Sequence, residues 1–441
     1  MTRKINLHDL SKLDAGQRAA LLHRAEADIE PFLEKVKPII AAVKAEGDVA
    51  LARFAREFDK SPVTPDAIAA TPKDFDDALV KLDQEVLKAL EFAVESIRKF
   101  HQDQKPEEMW LHEIRPGAFA GDRFIPIPSV ACYVPRGKGA FPSVVMMTAV
   151  PAVVAGVKDV CIVTPPGPDG KIDDATLVAA RLVGVDRVYK CGGAQAVAAV
   201  AYGTQTVKKC AKIVGPGSPY VVAAKRLLAD VIDPGTPAGP SEVIILADET
   251  ADGRIAALDL LVESEHGPDS AAYLVTNSPK VAADAIAAIP GYWEKMGEQR
   301  VQFSSSVLGG KSGGVVLAPN WDDAVAFVND FAPEHLEILS AEPFVHLGKI
   351  QNAGEILLGN HTPVTLGNFV LGPNAVLPTN GHATTASPLS VFDYMKRSSV
   401  GYVTAAGYAP LAAKARILAT YEGFDAHANA VSEMRDGLLG R

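Results

Sequence analysis

Three carboxylate–imidazole pairs carry the chain's clearest chemistry: Glu263 with His266 in ESEHG, Glu334 with His335 in FAPEHLEIL, and Glu422 with His427 in YEGFDAHANAV. Glu263 and His266 are three apart, which puts both on one helical face where they can grip a single metal ion, and Gly267 can end that helix. The same pattern also describes a solvated helix terminus. Glu334 and His335 follow Pro333, which stops the preceding helix, and precede LEIL, which reads as a strand. At a strand mouth the two suit acid–base work, because imidazole titrates near neutrality and a carboxylate can orient water. On a surface turn they would do nothing. Glu422 and His427, taken alone, are a charge pattern at a helix boundary.

The elements around these residues alternate. The first hundred residues are alanine-rich and periodic and read as amphipathic helices, a packing scaffold. From VACYVP the chain runs strand, glycine-containing loop (PRGKGAFPS), apolar helix and strand (DVCIVTPP), then repeats helix and strand through RVYKCGG and AKIVGPG. That order predicts a parallel sheet with ligands beyond the carboxyl ends of its strands. A second α/β stretch begins at EVIILAD, and the last fifty residues return to helices. The expected fold class is α/β, with two Rossmann-like parallel-sheet domains, one inserted in the other, plus helical N- and C-terminal segments. The expected divisions are an N-terminal helical segment 1–30, a discontinuous main domain 31–131 and 240–388, a dinucleotide-binding domain 132–239, and a C-terminal helical segment 389–441.

Composition narrows the partners. At 441 residues and 48% hydrophobic content the chain is too long for one domain of usual size. Its net charge of −10 speaks against a nucleic-acid or anionic-membrane partner, since those need clustered Lys and Arg. The longest apolar run, from Val144 to Val157, is shorter than a membrane span and contains Pro151. The N-terminus shows no secretory signal, and Cys132, Cys161, Cys191 and Cys210 form no CxxC pair. They read as buried reduced thiols, which places the expected site of action in the cytoplasm.

Nine blocks, in order, resemble the histidinol dehydrogenase family: YVPRGKGAFPS, CGGAQAVAAVAYGT, KIVGPGSPYVVAAKR, PAGPSEVIILAD, ESEHGPDS, APEHLEI, LGPNAVLPT, SPLSVFDYMKR and EGFDAHANAV. The resemblance covers the chain from about residue 30 to its end. It implies NAD and Zn²⁺ as cofactors and oxidation of a primary alcohol through an aldehyde to a carboxylate. It also implies a homodimer in which the C-terminal segment of one subunit completes the other's site. Position by position, it makes His335 the general base and Glu334 the carboxylate that activates water. Tyr133, Gln195 and Ser218 fall where the family contacts NAD, Ser241 and Glu422 where it contacts substrate, and His266 and His427 where it ligates zinc.

The departures concern metal and substrate. Where the family has Gln and Asp at the other two zinc positions, this chain has Glu263 and Asn368. The pair of changes exchanges one amide and one carboxylate, so the set keeps two imidazoles, one carboxylate and one amide, still suited to zinc. Ala375 stands where histidinol-oxidising members keep a His, Arg136 where they keep a Gly, and Thr384 where many keep an Arg. A close branch of the family oxidises 2,3-dihydroxypropane-1-sulfonate to sulfolactate, and Arg136, with Lys138, would suit such a small anionic alcohol because a guanidinium presents forked donors to an oxyanion. The same two cations could instead hold the NAD pyrophosphate or face solvent. The expected activity is therefore that of the sulfopropanediol branch; its alternatives are L-histidinol oxidation and a silent NAD-binding or sensory module.

Overall fold

The structure is a computed structural model that describes residues 3–24, 29–136 and 139–440. The chain forms two compact units, Met1–Gln104 with Ile127–Tyr394, and Lys105–Pro126 with Met395–Arg441.

The first unit contains two parallel sheets. One has six strands in the order Leu7–Asp9, Gly313–Leu317, Ala271–Thr276, Glu242–Ala247, His335–Leu339, Glu355–Leu358. The other has four, in the order Val188–Lys190, Asp159–Thr164, Ser129–Tyr133, Lys212–Val214. EVIILA and AAYLVT are buried along their whole length, as strands covered by helices on both faces must be. Alternation sorts their side chains. Val243, Ile245, Leu339 and Leu357 meet Leu260, Val281 and Ile289 on one face, while Ile244, Leu246, Leu336 and Ile338 meet Phe327 and Phe331 on the other.

Both sheets are laid down by the same rule. Apart from the edge strand Leu7–Asp9 of the larger sheet, the chain starts in the middle, adds strands outward on one side, then crosses back to the other. The reversal falls between Ser129–Tyr133 and Lys212–Val214 in the four-stranded sheet, and between Glu242–Ala247 and His335–Leu339 in the six-stranded sheet. Such reversals open a crevice between diverging loops.

The α/β class and the parallel sheets agree with the sequence reading, but four segments lie elsewhere. Residues 1–30, expected as helical, contribute Leu7–Asp9 as an edge strand on Gly313–Leu317 as well as the helix Ala15–Leu21. Three residues are too few to show a period. The helices Glu30–Glu46 and Asp48–Phe58, expected in the main domain, pack through Val36, Val43, Leu51 and Phe54 onto the four-stranded sheet and its alanine-rich helix Gly193–Tyr202. Residues 105–126, also assigned to the main domain, form a hairpin in the second unit, with Met109–Arg115 and Ala118–Pro126 antiparallel. Met395–Val403, inside the segment expected to be helical, is the third strand of that sheet, and helices Ala405–Tyr421, Asp425–Asn429 and Glu433–Leu438 follow it. No helix of the described residues is long and apolar enough to cross a membrane.

The first unit is tied together by one buried amide. Asn374 Nδ2 donates to the Met147 carbonyl at 2.6 Å and faces His101 Nε2 at 3.2 Å, while its Oδ1 accepts from Val376 N at 2.9 Å. Alanine would leave buried groups on three segments without partners. Asn374→Ala should cost roughly 2–3 kcal/mol, read as a lower urea midpoint with an unchanged slope.

Candidate functional site

His335 opens a strand, and its neighbours are dictated by sheet register. It lies opposite Val243 on one side and Glu355 on the other. Side chains paired across parallel strands point to the same face, so Glu355 meets His335 directly, Oε2 to Nδ1 at 2.9 Å. Both are buried, at 7% and 2% exposure. Just before them, the helix Trp321–Phe331 ends on Ala332, whose φ of 50° is left-handed, so the helix stops one residue ahead of Pro333. The turn aims Glu334 inward, where Oε2 accepts from the Glu242 backbone N–H at 2.8 Å and Oε1 stands 4.0 Å from His335 Nε2.

The protonation chemistry follows from burial. Burial lowers the His335 pKa, but the hydrogen bond that the ring donates to Glu355 and the charges of Glu334 and Glu263 outweigh it and raise the imidazole to about 9. Burial pushes Glu334 well above the usual carboxylate range, against the opposing pull of His335. Two adjacent groups that both hold protons more tightly than free side chains are placed for proton transfer at neutral to alkaline pH.

The helix Gly253–Ser264 covers this face of the sheet and delivers Glu263 from its last turn. Glu263 is 1% exposed, and its two oxygens are bracketed: Asn368 Nδ2 donates to Oε1 at 2.8 Å, and His266 Nδ1 lies 2.8 Å from Oε2. Ser241 Oγ is 2.9 Å from the same His266 nitrogen. Burial alone would raise Glu263; the charge of His266, its hydrogen bond, His335 and the Asn368 amide together hold it at about 2. Carboxylate, imidazole and amide thus meet at one point and form a donor set that fits zinc. Among the described residues no three His, Cys, Asp or Glu side chains cluster as a metal site. His427, in helix Asp425–Asn429, and Glu422, at the end of Ala405–Tyr421, belong to the second unit.

Several residues at this site were not singled out from sequence. Besides Glu355, Glu242 is buried and held by Arg24 Nε at 3.2 Å and Asn380 N at 2.8 Å, with Arg24 also bonded to the Phe331 carbonyl. Asp259, one helical turn before Glu263, and Glu337, two residues along the strand from His335, are both buried, and burial raises the pKa of each carboxyl.

The candidate cofactor residues gather at the carboxyl edge of the four-stranded sheet. The buried Tyr133 ends its strand and its hydroxyl accepts from Gly193 N at 2.9 Å, beside Gln195 on the same helix. Gly215, with φ of 109°, passes so close that a Cβ would stand 2.2 Å from the Tyr133 carbonyl, and Ser218 then caps Pro219–Leu227. Tyr133 and Ser218 therefore flank the strand-order reversal, where dinucleotides sit in sheets of this order. Arg136 is on this edge too: its guanidinium donates to the Lys171 carbonyl at 3.2 Å and lies against Gly167. Lys138 is outside the described residues. An open cavity of ≈ 680 Å³ at the carboxyl edge of the larger sheet offers little, because its Arg254 and Lys280 are already paired with Asp252 and Asp284.

Known proteins resemble the chain throughout. A profile of the histidinol dehydrogenase family matches residues 22–435. "Histidinol dehydrogenase homolog 2" of Mesorhizobium japonicum is 64% identical over 435 residues, 99% of either chain. "Histidinol dehydrogenase" of Synechocystis is 48% identical and covered in full. The crystal structure of histidinol dehydrogenase from Elizabethkingia anophelis superposes with a TM-score of 0.93 at 30% identity over 99% of both chains.

Glu263→Ala should lower zinc affinity about 10- to 100-fold, as loss of a ligand or its orienting partner does. Equilibrium dialysis with metal analysis measures this, with the fold checked by circular dichroism.

Proposed function

Because the chain belongs to the histidinol dehydrogenase family, whose cofactors are NAD and Zn²⁺, we propose that it oxidises 2,3-dihydroxypropane-1-sulfonate to sulfolactate in two NAD-dependent steps. The reaction balances as one primary alcohol, one water and two NAD⁺ giving one carboxylate, two NADH and three protons. The observation that carries the reaction class is the buried Glu334–His335 pair beside the Glu263, His266 and Asn368 cluster. Asn368 would contribute its amide oxygen to zinc, with Glu263, His266 and, from the C-terminal segment of a second subunit, His427 as the remaining ligands. Bound zinc there supplies Lewis acidity, which lowers the pKa of a substrate hydroxyl.

His335 Nε2 takes the hydroxyl proton, while Tyr133, Gln195 and Ser218 would hold the NAD that serves as hydride acceptor. Glu334, fixed by the Glu242 N–H, then removes a proton from the water that adds to the aldehyde. Ser241 and Glu422 contact substrate in this reading. The substrate choice rests on Ala375 and Thr384, which withdraw a His and an Arg from a histidinol site. Losing such contacts costs a site built on hydrogen bonds on the order of 10⁴-fold in discrimination. Arg136, held at the cofactor edge, is better placed for the NAD phosphates than for the sulfonate.

A homodimer is part of this proposal. Ile417, Leu418, Tyr421 and Phe424 are exposed on the segment leading to His427, a surface suited to a second subunit. The four free buried thiols support a reducing compartment such as the cytoplasm.

Zinc-loaded protein should release two NADH per diol consumed, lose activity to a chelator and regain it with zinc. Turnover of L-histidinol with the diol inert would replace this substrate with the biosynthetic one. NAD binding without turnover of any alcohol would leave a silent module. His335→Asn should lower kcat by roughly 10²- to 10⁴-fold while NAD still binds.

A further inference from the structure

The His335 ring has two nitrogens with different surroundings. Nε2 faces Glu334, whereas Nδ1 lies 2.9 Å from Glu355 Oε2, from the neighbouring strand. A carboxylate only accepts, so the proton is on Nδ1 and the lone pair for catalysis on Nε2. The pairing is built from several directions. Register sets Glu355 opposite His335, and the chain spends a glycine to admit it. A Cβ at Gly367 would stand 2.8 and 2.9 Å from the two Glu355 oxygens. Oε1 of this buried carboxylate has no hydrogen-bond partner in the structure, so its side chain is held by His335 on one side and enclosed by Gly367 on the other.

We propose that Glu355 is the positioning residue of the reaction: it fixes the His335 tautomer and ring orientation and stabilises the imidazolium that forms when Nε2 accepts the alcohol proton. The inference rests on His335 being the general base. Glu355 touches neither substrate nor cofactor and acts through the ring. Of the charged groups around His335, Glu334 shares its active nitrogen's side and Glu263 and His266 belong to the metal cluster. Glu355 alone is bonded to the far nitrogen.

The test uses full-length, zinc-loaded protein with ¹⁵N-labelled histidine rings, the His335 signal being identified by its loss in His335→Asn. In the unaltered protein the Nδ1 proton should resonate far downfield, as for a charge-assisted hydrogen bond. It should move upfield in Glu355→Gln, which keeps the shape and removes the charge. It should also move in Gly367→Ala, which keeps the charge and displaces it. With the diol and NAD, both variants should lose about 10- to 100-fold in kcat with KM for NAD changed less than about twofold. An Nδ1 signal identical in all three proteins overturns the proposal, as does a change confined to KM. The spectrum needs no substrate, so an inert diol would count against the substrate assignment and leave this inference to be decided by the ring signal.

Discussion

The constraint on which the site depends is the burial of Glu242, Glu263, Glu334 and Glu355 at one end of a largely apolar sheet. An unpaired buried carboxylate costs several kcal/mol, and a half-satisfied group is worse than none. Each carboxylate here therefore has an assigned neutraliser: Arg24 for Glu242, His266 and Asn368 for Glu263, a backbone N–H for Glu334, and His335 for Glu355. These partners come from five different stretches of chain. Folding the unit and assembling the site are in this respect one event.

The two sheets share a strand order but use opposite edges. In the smaller sheet, Tyr133 and Ser218 flank the reversal at the carboxyl edge. In the larger, the polar groups at that edge bond one another: Thr250 Oγ1 bonds Asp248 at 2.5 Å, and His346 sits between Asp248 and Ser340 at 3.4 and 3.3 Å, tilted against the Trp321 ring. Chemistry is placed at the amino edge instead. Ser241, Glu242, Glu334, His335 and Glu355 all lie at the starts of strands, and the helix Gly253–Ser264, running back against them, returns Glu263 to the same end. The negative carboxyl end of that helix faces His266 rather than a phosphate, and the carboxylate of Glu263 raises the pKa of that imidazole.

Legibility in the sequence follows the range of the interaction. Glu263 and His266 are spaced by helix geometry, and Glu334 and His335 are adjacent, so local pattern sufficed to pick them out. The strand runs EVIILA and AAYLVT were equally plain, being uniformly apolar. Glu355 was not, because GEILLG reads as an ordinary strand until register places it across from His335, twenty residues away. Leu7–Asp9 and Met395–Val403 escaped for the same reason: their pairing partners, Gly313–Leu317 and Ala118–Pro126, lie about 300 residues away along the chain. Glu337 was within reach, since a charged residue two positions from His335 on a buried strand must share its face and need a partner.

The exchange of amide and carboxylate between positions 263 and 368 also finds its physical sense in this geometry. Asn368 Nδ2 and Glu263 Oε1 are 2.8 Å apart. Two carboxylates at that distance would repel unless a cation held them, while two amides would leave His266 without its charged partner. One of each satisfies both demands, and which position carries the charge decides what else it touches. On the helix, at 263, the carboxylate bonds His266 directly and stands within the field of His335. With Glu355 supplying a second negative charge behind His335, this arrangement draws the acidic groups toward the base. It raises the proton affinity of the imidazole where a proton must be received and afterwards released.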